Sequence, residues 1–428
     1  MRTLLEDESV VRMFRSQERA FTRRRKLPFR EVVVMLLCGW KLSLQTRINR
    51  FVRQTGWTGP VPTASAFCQA RKKVRPELFL EMNRQALAGL YEDCPESVLR
   101  WKGQLLWAVD GTLINLPANG ETRKWYSVQR NQYDPQGAVQ GMASFLYDVL
   151  NEVTVNAVLD KKRSEKSFVL QEHRDHFSPG VIVLYDRLYA DYAVMALHAK
   201  TGADFVIRAR MSQTFKQVEK FIRSPLVDTV VTVGVTTKQR QWVSELGLPD
   251  RVQVRLTKVV LADGTVEVLI TSLVDRDVYT LQDLEELYKK RWEIETHFDR
   301  LKNVFEVERF SSRTVVGIEQ DFYGIVLLST LAGLVAKEED EERKNRNQRR
   351  RTKYVYKVNR STCCVALVDR LVELLLDKSK SLEEAGEELR QELKNALSPV
   401  RPGRSFPRQP ATASRRMRFL RYQKRLWA

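Results

Sequence analysis

Three acids stand where a chain can present a carboxylate to a ligand. Asp110 ends the apolar run Gln104-Leu105-Leu106-Trp107-Ala108-Val109 and opens Asp110-Gly111-Thr112, and Asp186 directly follows Val181-Ile182-Val183-Leu184-Tyr185. Glu295 lies within LQDLEELYKKRWEIETHFDRLKNVF, from Leu281 to Phe305. Carboxylate oxygens suit a hard cation such as Mg²⁺, which keeps several waters and shares its remaining positions with phosphate. Two such ions, about 3.5–4 Å apart, can activate a water or a 3′-hydroxyl on one side of a phosphodiester and stabilise the leaving oxygen on the other. Acids at two strand ends and one helix would form the platform for that chemistry. Competing schemes find less: His173 and His176 sit at i,i+3 on a charged segment, His198 and His297 stand apart, and surface positions are expected for them.

The stretch from Leu281 to Phe305 contains neither Gly nor Pro and is rich in Leu, Glu, Lys and Arg, which predicts a single helix. At about 100° per residue, Tyr288, Arg291, Glu295 and Lys302 fall within an arc of roughly 60°. Leu287, Ile294, Phe298, Leu301 and Phe305 form the apolar stripe beside them. Glu293 points the other way, so the two glutamates are not interchangeable.

Those elements must be placed by a sizeable chain. At 428 residues and 43% hydrophobic, it can bury substantial cores in two to four structural units. No uninterrupted apolar run of about 18 residues is present, and the N-terminus lacks a secretory pattern, so a soluble chain is expected. Cys38, Cys68, Cys94, Cys363 and Cys364 are an odd set without C-x-x-C spacing, which points away from disulfides and zinc and toward a reducing cytoplasm. The 72 Lys and Arg against 53 Asp and Glu give a net charge of +19, and the cations come in runs. A polyanion, foremost nucleic acid, is the expected partner rather than a membrane surface.

Residues 1–97 read as helical, with segments at Glu31–Trp40, Leu42–Val52 and Pro76–Tyr91, and Thr63 or Ser65 as an N-cap before Ala66. Arg23 to Lys26 and Arg71, Lys72, Lys73 and Arg75 make a DNA-binding face there. Strands follow at Gln104–Leu116, Gly141–Asp148, Glu152–Leu159, Val181–Tyr185 and Asp204–Ile207, with helices at Ser164–His176 and Tyr192–Lys200. Three antiparallel strands followed by alternating helices and strands predict an α/β layer fold with a mixed sheet. Residues 210–275 read as a strand-rich insertion with an Ala262-Asp263-Gly264 turn and no strong helix, and Val315–Ala336 as a buried helix. Basic residues return at Arg343–Arg360, and Arg401–Ala428 holds nine Arg or Lys and no acid, with Tyr354, Tyr356, Phe419, Tyr422 and Trp427 interleaved.

Asp110 in its strand-DGT setting, Asp186 at a strand end, and Tyr288-x2-Arg291-x3-Glu295-x6-Lys302 together resemble the DDE triad and Y-R-E-K signature of bacterial cut-and-paste transposases of insertion sequence family 4. The resemblance implies a ribonuclease H-like catalytic core in two parts, 98–209 and 276–336, split by the insertion 210–275. A helical DNA-binding domain (1–97) and a basic C-terminal DNA-binding and dimerisation region (337–428) would flank it. It further implies that Asp110, Asp186 and Glu295 hold two Mg²⁺ or Mn²⁺ ions, and that Tyr288, Arg291 and Lys302 meet phosphates near the cleaved transposon end, with Trp292 next to a flipped base or in the core. Many members carry Gly two residues after the second Asp, where this chain has Leu188, so Asp191 stays an alternative ligand. Members that open DNA through a hairpin carry a wedge aromatic in the insertion, where Trp242 is the only tryptophan.

The expected activity is therefore cleavage at inverted-repeat ends and transfer of 3′-hydroxyls into target DNA, by a homodimer on paired ends, in the cytoplasm at the nucleoid. A catalytically inactive domesticated DNA-binding relative and a ribonuclease H-like nuclease are the alternatives.

Overall fold

The computed structural model describes residues 1–400 apart from 23–26, 39–42, 132–133, 213–214, 261–263, 348–353 and 378. The basic run Arg23–Lys26, the middle of Arg343–Arg360, the tail from Arg401 and most of the Ala262-Asp263-Gly264 turn therefore lie outside the described residues.

The N-terminal region is helical: α1 (Arg2–Glu6), α2 (Glu8–Phe14), α3 (Phe29–Leu37), α4 (Leu44–Gln54), α5 (Ala64–Arg71) and α6 (Glu77–Ala88). Thr63, not Ser65, caps α5, its hydroxyl accepting from the Ala66 N–H. The chain continues through β1 (Leu105–Leu116), α7 (Gly120–Trp125), β2 (Ser127–Asn131), β3 (Asp134–Asp148), β4 (Val153–Lys161), α8 (Glu165–Phe168), β5 (Val181–Tyr185), α9 (Tyr192–Thr201) and β6 (Asp204–Arg208). β1, β3 and β4 pair antiparallel, while β5 lies parallel to β1 and β6 parallel to β5. Five strands in the order β4-β3-β1-β5-β6 form the mixed core of the sheet. The helix expected over Ser164–His176 is only one α-turn, continued by a wide turn at Val169–His173 and a tight one at Arg174–His176.

The insertion contains two helices that its β-branched residues concealed, α10 (Lys216–Arg223) and α11 (Arg240–Leu246), among β7 (Asp228–Gly234), β8 (Arg251–Val260) and β9 (Val266–Thr271). Because β9 pairs with β6, these three strands extend the core sheet, which with β2 on β3 has nine strands among the described residues. Trp242 packs against the buried cluster on that side of the sheet.

The helix expected from Leu281 to Phe305 is two helices, α12 (Leu281–Lys289) and α13 (Trp292–Asn303). At their junction the Lys290 and Arg291 N–H groups bond three residues back, to Leu287 and Tyr288 carbonyls, so the backbone tightens by one 3₁₀-type turn. After it come α14 (Val315–Asn347), β10 (Val355–Val358), α15 (Arg360–Leu376), α16 (Leu382–Lys394) and β11 (Leu397–Val400). α14 runs well past Ala336 and through the boundary expected there. Long and apolar enough to cross a membrane by length and composition, it has most of its apolar stretch buried within the protein. It packs on α3, α6, α15 and β4, and Arg2 donates to the Leu374, Glu373 and Lys380 carbonyls. The N-terminal and C-terminal helices thus share one core with the sheet.

Alternate strand residues feed two cores. Leu106, Ala108, Ile182 and Leu184 face the cluster formed with α12, α13 and α14, while Trp107, Val109, Val183 and Tyr185 face the cluster formed with α9. One contact shows how closely α14 seats. A Cβ on Gly333 would stand 2.2 Å from the Glu152 carbonyl oxygen, in the turn between β3 and β4 where Glu152 itself has φ +55°. Arg300 and Arg360 both clamp the Glu152 carboxylate, so the turn cannot retreat. Gly333→Ala should cost roughly 2–3 kcal/mol or more of stability, read as a lower urea midpoint at unchanged slope.

Candidate active site

The two aspartates converge because of strand register. β1 and β5 pair Leu105 with Val181 through Ala108 with Leu184, and the same register carried two residues further sets Asp110 beside Asp186. Parallel neighbours lie about 4.8 Å apart. Both residues follow the parity of Ala108 and Leu184, so both fall on the face covered by α12 and α13. Each follows the fully buried run of its strand, which ends at Val109 and Tyr185; Asp186 lies just beyond β5, but Asp110 is not at the strand end expected for it, because β1 continues to Leu116 and is buried again at Ile114 and Leu116. Asp186 Oδ1 caps the following turn, accepting from the Leu188 N–H at 2.6 Å. Asp191 is the N-cap of α9 and pairs with Lys166 at 2.6 Å.

The α12–α13 corner is tied to both strands. The Tyr288 hydroxyl donates to the Tyr185 carbonyl at 3.3 Å, one residue before Asp186, and Lys302 Nζ donates to Thr112 Oγ1 at 2.6 Å, two residues after Asp110. Arg291, 6% exposed, donates to Glu295 Oε1 at 3.1 Å. Its guanidinium lies 4.8 Å from the Trp292 ring, and Trp292 is 49% exposed rather than packed in the core. Glu293 is exposed on the opposite side while Glu295 is half-buried, in agreement with the helical phase.

Electrostatics mark Asp110. Burial pushes its carboxyl up to about 7; the negative charges of Asp186 and Glu165 push the same way, against the Gly111 N–H and the Arg291 guanidinium. Burial likewise raises the Tyr288 phenol. Glu165, at the start of α8, is the acidic neighbour that sequence reasoning missed. Its motif-free setting, Ser164-Glu165-Lys166, gave no signal beyond a helix start. Among the described residues no three Asp, Glu, His or Cys side chains are drawn close enough to enclose a metal ion, and Glu295 is held by Arg291.

Of the N-terminal cations, Lys72 is exposed and Lys73 lines an open groove with Gln17, Arg19 and Gln69. Arg71 does not belong with them. It is 3% exposed, and its guanidinium donates to Gln320, Ser311, the Gly317 carbonyl and Asp321, so it is engaged inside the fold and not on the exposed basic face. The expectation of surface histidines also fails for three of the four. His173 bonds Ser144, His198 bonds Tyr185, and His297 stacks on Tyr147, all buried, where desolvation lowers each pKa.

The family described as Transposase DDE domain matches residues 101–331, more than half of the chain. Transposase InsG for insertion sequence element IS4 of Escherichia coli (strain K12) is 21% identical over 336 residues, spanning 76% of this chain and 74% of that protein. Among solved structures, the piggyBac transposase synaptic complex with hairpin DNA superposes with a TM-score of 0.44 at 11% identity, covering 94% of this chain and 86% of that one. With Asp110 and Asp186 side by side on adjacent strands beneath the helix that carries Glu295, the chain belongs to the family of transposases with a DDE domain, enzymes that cut DNA and transfer its strands.

Proposed function

We propose that this transposase nicks DNA at the inverted-repeat ends of its element and joins the exposed 3′-hydroxyls to target DNA by in-line transesterification. DDE transposases depend on a divalent metal ion; the finer assignment is two Mg²⁺ or Mn²⁺ ions on Asp110, Asp186 and Glu295. The donor type fits such ions: Asp110 and Asp186 offer hard carboxylate oxygens at neighbouring positions of β1 and β5, where burial makes the Asp110 charge costly, and Glu295 would join them on leaving Arg291. When bound, the metals supply a Lewis acid at the scissile phosphate and lower the pKa of the attacking hydroxyl or water.

The chain's own residues set the geometry around that phosphate. Tyr288 and Lys302, through Tyr185 and Thr112, hold α12 and α13 against the two strands and so fix Glu295 relative to both aspartates. Arg291 is charge-coupled to Asp110 and bonded to Glu295. A DNA phosphate competes for the same planar fork and would release Glu295 toward the aspartates as it binds. Trp292, exposed beside Arg291, offers a stacking face to a base at the cut end. Lys72 and Lys73 add sequence-independent phosphate contacts from the N-terminal region. A homodimer on paired ends, acting at the nucleoid in the cytoplasm, completes the reading, with residues 1–97 and 337–428 serving DNA binding and assembly.

The single observation that carries it is the juxtaposition of Asp110 and Asp186 on one sheet face under α13. Supercoiled DNA carrying the element's ends should be nicked and joined by the wild type in Mg²⁺ or Mn²⁺, and neither nicked nor joined by Glu295→Ala. Absence of cleavage by the wild type in either metal would favour the inactive DNA-binding relative; cleavage without joined products would favour a hydrolytic nuclease.

A further inference from the structure

Glu165 is unassigned by the D, D, E reading, yet it faces the same centre. Its side chain runs over Gly111, where a Cβ would meet Glu165 Cγ at 3.3 Å and Cδ at 3.4 Å, so the absence of a side chain at 111 is what lets the glutamate approach β1. α8 also packs against the turn Arg187–Tyr189 that follows Asp186. Glu165 therefore approaches from the α9 side of the sheet, across β1 from the face that carries Asp110, and neighbours one aspartate through the next residue in its strand and the other through the next turn.

The hydrogen bonding around Glu165 is incomplete. Its Oε2 is buried without a partner. Tyr189, fully buried, holds its hydroxyl beside this carboxylate, where its hydrogen bonding favours the charged form of Glu165, although the contact falls short of a well-formed hydrogen bond. Buried polar atoms are nearly always satisfied, and one left unpaired costs about 1–3 kcal/mol, so a buried carboxylate oxygen whose nearest donor, the Tyr189 phenol, does not complete a full bond marks a place where a further group belongs. Lys166, the adjacent residue, does not neutralise Glu165, because it is engaged with Asp191. A water carried by a divalent cation would satisfy both atoms, since Mg²⁺ keeps several of its waters when protein carboxylates hold it.

We propose that Glu165 is a fourth carboxylate of the active site, a positioning residue that accepts a hydrogen bond from water on the cation held by Asp110 and Asp186, with the Tyr189 hydroxyl fixing its orientation. The proposal rests on the metal-dependent reading above. Outer carboxylates of this kind typically contribute 10–100-fold to metal affinity. It also gives each residue of Asp110-Gly111-Thr112 a use: ligand, clearance for Glu165, and anchor for Lys302.

The test is the melting temperature of the full-length protein during Mn²⁺ titration, with Glu165→Gln, Tyr189→Phe and Asp110→Asn beside wild type. Glu165→Gln should melt at or above wild type without metal, since it removes one of several crowded negative charges. It should need at least about 10-fold more Mn²⁺ for the same rise in melting temperature, and Tyr189→Phe should shift in the same direction by less. The Mn²⁺ concentration for half-maximal strand cleavage should move in parallel. A Glu165→Gln protein with the wild-type Mn²⁺ response, or one that melts lower than wild type in the absence of metal, would overturn the proposal while leaving the triad standing. If Asp110→Asn also keeps the wild-type Mn²⁺ response, the metal centre itself is misplaced and both readings fall.

Discussion

Asp110→Asn is expected to lower strand cleavage by at least about 10³-fold while raising the stability of the metal-free protein at pH 8. The first effect follows from removing a charged oxygen at the junction of β1, β5 and α13, where the other acids cannot take its place: Asp186 is set by its own strand, Glu295 is bonded to Arg291 and Glu165 lies over Gly111 on the other side of β1. The second follows from the sign of the pKa shift. In the fold the carboxyl titrates at about 7, against 3.8 for an ordinary aspartate. Between those two values the folded chain holds a proton that the unfolded chain has released, so stability falls as pH rises through the window and stays reduced above it. Asparagine has no such penalty. Melting in EDTA should therefore show wild type losing stability between pH 5 and pH 8 and Asp110→Asn losing less, with the variant ahead at pH 8. A variant that melts below wild type at both pH values would make Asp110 a packing residue. A stable variant that still cleaves would remove it from the reaction.

What the sequence disclosed, and what it did not, follows from how each feature is encoded. Strand parity and apolar runs are local, so β1, β5 and the acids that follow their apolar runs were readable, although β1 continues past Asp110 to Leu116, and so was the phase that separates Glu295 from Glu293. The register that sets Asp110 beside Asp186 depends on pairing between segments 76 residues apart, and nothing local specifies it. The 3₁₀-type turn at Lys290–Arg291 was invisible because every residue there is a good helix former. α10 and α11 were hidden in a region whose β-branched residues dominate its composition. Glu165 had no signal at all, since its role depends on clearance over Gly111. Arg71 is a different kind of miss. Phe67, Ala70 and Arg71 stand at i, i+3 and i+4 of α5, the spacing of an inward stripe, so helical phase already turned Arg71 toward the core while the charge run Arg71-Lys72-Lys73 suggested a surface.

That conflict leads to the largest stability effect expected in this chain. Arg71 and Asp321 form an ion pair at 2.9 Å with side chains only 4% and 1% exposed. The guanidinium also reaches Gln320 at 2.9 Å, Ser311 at 2.7 Å and the Gly317 carbonyl at 3.0 Å, and Gln320 returns to the Arg71 and Val74 carbonyls. One side chain thus fastens the C-terminal end of α5 to the first turns of α14. Arg71→Ala leaves the Asp321 carboxylate buried with only Ser311 donating to it among the bonds described here, and breaking a buried pair from one side typically costs about 3–5 kcal/mol. A large fall in melting temperature is expected, with DNA affinity at a temperature where the variant is folded close to wild type. Lys72→Ala and Lys73→Ala should behave oppositely, keeping the melting temperature and weakening DNA binding with a shallower salt dependence. Arg71→Met combined with Asp321→Leu should recover much of the loss, because replacing both charges removes the desolvation cost that either leaves behind alone. If Arg71→Ala instead keeps the wild-type melting temperature and loses DNA affinity as the lysine variants do, the side chain turns outward when DNA binds and the buried ion pair is not what joins α5 to α14.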